Sequence, residues 1–185
     1  MSELSRTDNK NVAPDIAEKA KEVLSAALHQ NWREDIQKGF LDKGESPDTP
    51  RLRVSKDKTE AQDLEWYKEQ EEKGVVFDID PESDKRLVNT NVPYEELSPS
   101  WQGANSGAAE FVVDALVEGT EHGEDIADEE FIQKLASMIH DKWMEDNAWD
   151  RENNPQLFVP YEELEPKEQK KDADQVRIAL AALGY

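Results

Sequence analysis

The chain contains no cysteine, which excludes disulfides, thiolate metal ligands and a cysteine nucleophile. Its three histidines, at 29, 122 and 140, never stand at His-x-x-x-His spacing, so no zinc or other metal site is expected. There is no P-loop, no Gly-x-Ser-x-Gly and no dinucleotide fingerprint, and an enzyme reading therefore has no nucleophile–base pair to stand on. Positive charge is scarce: 22 Lys and Arg face 43 Asp and Glu, for a formal net charge of -21. A surface of that sign repels phosphate backbones, which argues against nucleic-acid binding. No apolar run approaches the roughly 18 residues a membrane span requires. The polar start, MSELSRTDNKNVAPD, does not resemble a secretory leader. A soluble, cytoplasmic, non-catalytic protein without a cofactor is the expectation.

What is present is an amphipathic pattern. The apolar fraction is 36% and the charged fraction 35%, a balance that suits helices with thin apolar stripes. Residues 1–13 read as disordered. Pro14 opens a helix with Ile16, Ala20, Val23, Leu24 and Ala27 on one stripe, which Gly39 is expected to stop. A Gly- and Pro-containing loop follows, with the one basic island: Arg51, Arg53, Lys56 and Lys58. A second helix ends at Gly74, and Val75 to Ile79 suit a short strand. DPESDKRLVNTN reads as a loop; Ser83 and Asn89 stand where a calcium loop needs Gly and Glu, so calcium is not expected. QGANSG separates off a helix carrying Phe111, Val112, Ala115 and Leu116. Asp128 is placed to cap the next helix, and the last helix ends at Gly184. The fold class expected is mainly α with short β-strands.

One sextet, VPYEEL, occurs twice, beginning at Val92 and at Val159, 67 positions apart. Proline fixes its own φ and bars a helix from the residue before it. PYEEL therefore suits a single helical turn with acids near its positive end. Tyr and Leu, three apart, both face inward in such a turn, which makes a packed corner the plain reading of each tyrosine.

His140, Trp143, the run Phe158 to Leu164 and the final Gly184-Tyr185 together resemble the ryanodine receptor repeat, or RyR domain. That repeat carries a helix His and Trp, a Gly-Trp-x-Tyr-Gly element, a Leu-Val-Pro-Tyr/Phe-x-x-Leu corner and a closing helix. Two helices compete for the first copy: ALHQNW, through His29 and Trp32, and DLEWYK, through Trp66. The shorter connection from Gly74 to Tyr94 assigns Trp66 to the first copy, with Asp63 where the family has His. The expected division is then an N-terminal helix and loop over 14–58, a first repeat over 59–120 and a second over 121–185.

In the family two repeats pack about a pseudo-two-fold axis, and prokaryotic relatives look like sensors of nucleotide-derived ligands. The resemblance thus implies a small adenine-nucleotide or ADP-ribose-like ligand held between the repeats. Trp66 and Trp143 would stack on it, and Tyr94, Tyr161 and His140 would support it. Arg86 and Arg151 would meet phosphates, with the basic island as a further source of cations. A chain of this length has no room for an effector domain, so sequestration of a nucleotide signal, as in a phage anti-defence protein, is one form of this reading. The alternative is an acidic protein-interaction module, or a DNA-mimic-like inhibitor of a protein partner, with no small ligand.

Overall fold

The computed structural model describes residues 11–54 and 61–185, with no side-chain detail at 61 and 62. Most of the segment expected to be disordered, together with Lys56 and Lys58 of the basic island, lies outside the described residues. The architecture is mainly helical, with one small sheet. In chain order the elements are α1 (Pro14–Asp42), β1 (Leu52–Val54), α2 (Ala61–Glu72), β2 (Asp78–Ile79), β3 (Arg86–Asn89), α3 (Pro99–Glu121), α4 (Glu129–Asp146) and α5 (Pro166–Leu183). The two sextets form matching single 3-10 turns at Tyr94–Glu96 and Tyr161–Glu163.

Several expected boundaries shift. Helix α1 runs through Gly39, and the left-handed residue that ends it is Gly44, at φ 75°. The amides of Lys43 and Glu45 both return to the Phe40 carbonyl, which satisfies the frayed end. QGANSG does not separate anything: α3 passes straight through Gly103 and Gly107. Helical glycine costs about 1 kcal/mol relative to alanine, a penalty that Pro99 at the first position and the apolar stripe downstream outweigh. The expected strand at Val75 to Ile79 shrinks to two residues, and Val76 is 91% exposed. Conversely, β1 and β3 arise in stretches read as loops. Their order is β1-β3-β2, all antiparallel, with Arg53 opposite Val88 and Asp78 opposite Leu87. Strands this short carry almost no alternation for a sequence pattern to show.

The chain clusters into two compact units that differ from the divisions expected from sequence. One comprises residues up to Leu24 together with Ala109–Tyr185; the other is Ser25–Ala108. In the first unit the core is aliphatic: Leu24, Val112, Val113, Leu116, Leu135, Val176, Ala179 and Leu180 are all buried. Asp128 caps α4 as the sequence suggests, accepting from the Glu130 amide at 3.0 Å. In the second unit the core is more polar and aromatic. Tyr67 is 1% exposed and meets Trp66 and Phe77, each with ring centroids 5.1 Å apart.

Among the described residues no helix is long and apolar enough to cross a membrane.

Candidate functional site

Each unit contains one complete cluster built on a sextet. In the first, α4 carries His140 and Trp143 one turn apart, so that their rings stack with centroids at 6.1 Å and an interplanar angle of 12°. His140 Nε2 donates to the Val159 carbonyl at 2.9 Å. Pro160 (φ −52°, ψ 148°) turns the chain there and delivers the Tyr161 ring to 6.4 Å from the imidazole. The turn is locked to α5 reciprocally: Gln169 Nε2 donates to the Tyr161 carbonyl at 2.8 Å, and the Tyr161 hydroxyl donates to the Gln169 carbonyl at 3.2 Å. That single hydroxyl proton is shared with Gln133 Oε1 on α4, the shorter contact at 2.8 Å. Burial pushes the Tyr161 phenol above its usual value, with Asp172 adding to the effect.

In the other unit the same arrangement recurs. His29 Nε2 donates to the Val92 carbonyl at 2.7 Å. The His29 and Trp32 rings stack at 5.6 Å, and Tyr94 sits 6.2 Å from the imidazole. Pro93 (φ −52°, ψ 152°) makes the turn, and Gln102 Nε2 donates to the Tyr94 carbonyl at 3.1 Å. The helix partner of the first sextet is therefore His29–Trp32, which corrects the assignment of Trp66. Connection length misled that choice: the β-sheet and α2 are inserted between helix and sextet. The common motif is also longer than six letters. Pro99 and Pro166 open the closing helices, and Gln102 and Gln169 follow three residues later, so the shared signature is V-P-Y-E-E-L-x-P-x-x-Q.

The two clusters differ in chemistry at matched positions. Beside Trp143 stands Phe158, at 5.2 Å; the position matching it in the first copy is Asn91. Over Trp32 lies instead the Arg51 guanidinium, 5.3 Å from the ring centroid. His140 Nδ1 lies 3.6 Å from the Asp172 carboxylate on α5, whereas the matching residue of α3 is Asn105. Burial, with help from nearby Glu168, pushes Asp172 up to about 7. Burial holds His29 below the usual histidine value, although its bond to Val92 opposes that shift. The His29 imidazole is accordingly neutral at pH 7, with its proton on Nε2.

The residues singled out from sequence fall into three groups. His140, Trp143 and Tyr161 share one cluster, and Arg151 joins it by lying over the Phe158 ring at 5.2 Å. Tyr94 belongs with His29 and Trp32, and its hydroxyl lies 3.3 Å from Ser106 Oγ. Trp66 and Arg86 are elsewhere in the second unit, around Tyr67. Trp66 packs edge-on against that ring, and Arg86 lies 4.6 Å over it while pairing with Glu71 at 3.0 Å. Asp63, placed from sequence at the histidine position, is buried and accepts from the Ser100 amide at 3.0 Å, capping α3. His29, Trp32, Arg33 and Asn91 were not singled out as binding residues. The spacing of ALHQNW, equal to that of MIHDKW, is the signal that finds the first two.

A small cavity of about 130 Å³ lies in the first unit, lined by Glu118, His122, Phe131 and Met138 among others. No group of three or more metal-ligating side chains occurs among the described residues. No family model, curated protein or solved structure matches the chain.

Proposed function

We propose that the chain is a non-catalytic binding protein for a small nucleotide-type ligand, with the paired His–Trp–Tyr clusters as its recognition elements. The observation that carries this reading is the duplication itself. A histidine, a tryptophan and a tyrosine are held twice in near-identical geometry, with Nε2–carbonyl bonds of 2.7 and 2.9 Å. Both indoles stay partly accessible, Trp32 at 36%. An indole kept at the surface by a rigid turn is a ready contact for a flat base, and base–aromatic stacking contributes about 1–3 kcal/mol. Resemblance to the RyR repeat points the same way, toward adenine nucleotides and ADP-ribose derivatives. Sequestration of such a signal is the role we assign.

Calorimetry against a panel of cyclic nucleotides, ADP-ribose and its cyclic derivatives tests the reading. Saturable binding by at least one member, weakened by Trp32→Ala or Trp143→Ala, is expected. Flat isotherms across the panel, with no small molecule carried through native purification, overturn it.

One observation favours a second reading, an acidic module that docks a basic protein: the net charge of -21. That reading predicts association lost at high salt and no thermal shift with any nucleotide.

A further inference from the structure

The chain has twice as many acids as bases, and two of its arginines behave accordingly. Arg86 pairs with Glu71, and Arg177 pairs with Glu129 and Asp174. Around Trp32 the pattern breaks. Arg51 lies over the Trp32 ring, Arg33 follows Trp32 on α1 with its Nε on Asn91, and Arg53 stands two residues after Arg51, on β1; among the described residues none of the three has a carboxylate within ion-pair distance. The cluster is constructed rather than incidental. The Arg51 amide donates to Asn89 Oδ1 at 2.9 Å, and the Arg51 carbonyl accepts from both the amide and the hydroxyl of Thr90. Arg33 Nε donates to Asn91 Oδ1 at 3.2 Å, and buried Asn91 is itself pinned to the Pro47 and Thr49 carbonyls. Arg51 Nε is buried without a hydrogen-bond partner. Burial, and the like charge of Arg53, hold the Arg51 guanidinium below its usual value; it remains a cation at neutral pH. A desolvated donor on a cation is costly to leave unmade, so such a site has a use for an acceptor.

We propose that Arg33, Arg51 and Arg53 form an oxyanion site beside Trp32 that takes the phosphoryl group of a small ligand. The planar fork of Arg51 supplies paired donors, Arg33 offers its terminal nitrogens, and Arg53 on β1 adds charge. The His140 cluster is built differently: Phe158 and Asp172 stand where the His29 cluster has Asn91 and Asn105, and a single arginine, Arg151, lies over Phe158. The two copies therefore differ in charge, one bringing three arginines and the other one arginine and a buried carboxylate. This deepens the binding reading above by naming its anion subsite.

The test uses the full chain with AMP, adenosine and pyrophosphate as probes, in calorimetry at low ionic strength. AMP affinity is expected to fall at least about tenfold in Arg51→Gln and in Arg33→Gln. Arg51→Lys is expected to be intermediate. If AMP binds equally well to wild type, Arg51→Gln and Arg33→Gln, the oxyanion site is refuted while nucleotide binding stands. If adenosine and AMP fail, and the panel above is flat, but pyrophosphate binds and depends on Arg51, the site stands and the nucleotide reading falls. If none of the three probes binds, the oxyanion site is overturned, and flat isotherms across the panel overturn the nucleotide reading with it.

Discussion

At the scale of single residues, the two clusters share a frame but respond to protons in opposite ways. Asp172 is 14% exposed at the side chain and is raised to about 7, against an ordinary value near 3.8. Between those values the folded protein holds a proton that the unfolded chain has released. Stability from this group is thus complete below about pH 4 and is lost as pH rises toward 7. The span is on the order of 4 kcal/mol at most, from about 1.4 kcal/mol per pH unit. Glu168 adds to the rise, Lys171 opposes it, and His140 faces the carboxylate. His29 has the reverse sign: its folded value is lowered, so its contribution is present above about 6.5 and fades on acidification. Urea midpoints at pH 4.5 and 7.5 separate the two. Asp172→Asn is expected to abolish most of the stability lost by the wild type over that interval. An unchanged pH slope in the variant would show that Asp172 is not the titrating group.

At the scale of elements, stability rests on how helix ends are met. Asp63 is wholly buried and satisfies the Ser100 amide at the start of α3. Asp63→Ala strands that amide and is expected to cost about 1–3 kcal/mol, read as a lower urea midpoint with an unchanged slope. Inside α3, a Cβ built on Gly119 would meet Ile126 Cγ2 at 2.8 Å and Phe131 Cζ at 2.9 Å. Gly119→Ala, ordinarily favourable in a helix, is therefore expected to destabilise by about 1–3 kcal/mol through overpacking. Gly103→Ala, with nothing within 4 Å of its Cβ, is expected to stabilise. The same particulars show what the sequence could carry. The mainly α class, the cap at Asp128 and the left-handed end at Gly184 followed from local chemistry. The strands did not, because Leu52–Val54 and Arg86–Asn89 are fixed by pairing with each other rather than by periodicity. Nor did the His29 cluster, because His29 and Val92 are 63 residues apart and only the fold closes that loop.

At the scale of the whole molecule, the balance of charge decides how the chain responds to its solution. The ion pairs among the described residues are nearly all at the surface, many at i,i+3 or i,i+4, such as Lys142–Asp146 and Lys19–Glu22. Each is worth roughly 0–1 kcal/mol, so screening them removes little. The net charge of -21, in contrast, is repulsion that every compact state must bear. Added salt shortens the range of that repulsion from about 30 Å at 0.01 M to about 3 Å at 1 M. Screening is thus predicted to stabilise the fold, and each 1 kcal/mol gained raises the melting temperature by about 2–4 °C in a chain of this size. The check is a melting series in sodium chloride. A midpoint that climbs with salt supports self-repulsion as the dominant electrostatic term. A midpoint that falls would mean that the surface pairs outweigh it, and that the excess of acid has been arranged to hold the fold together.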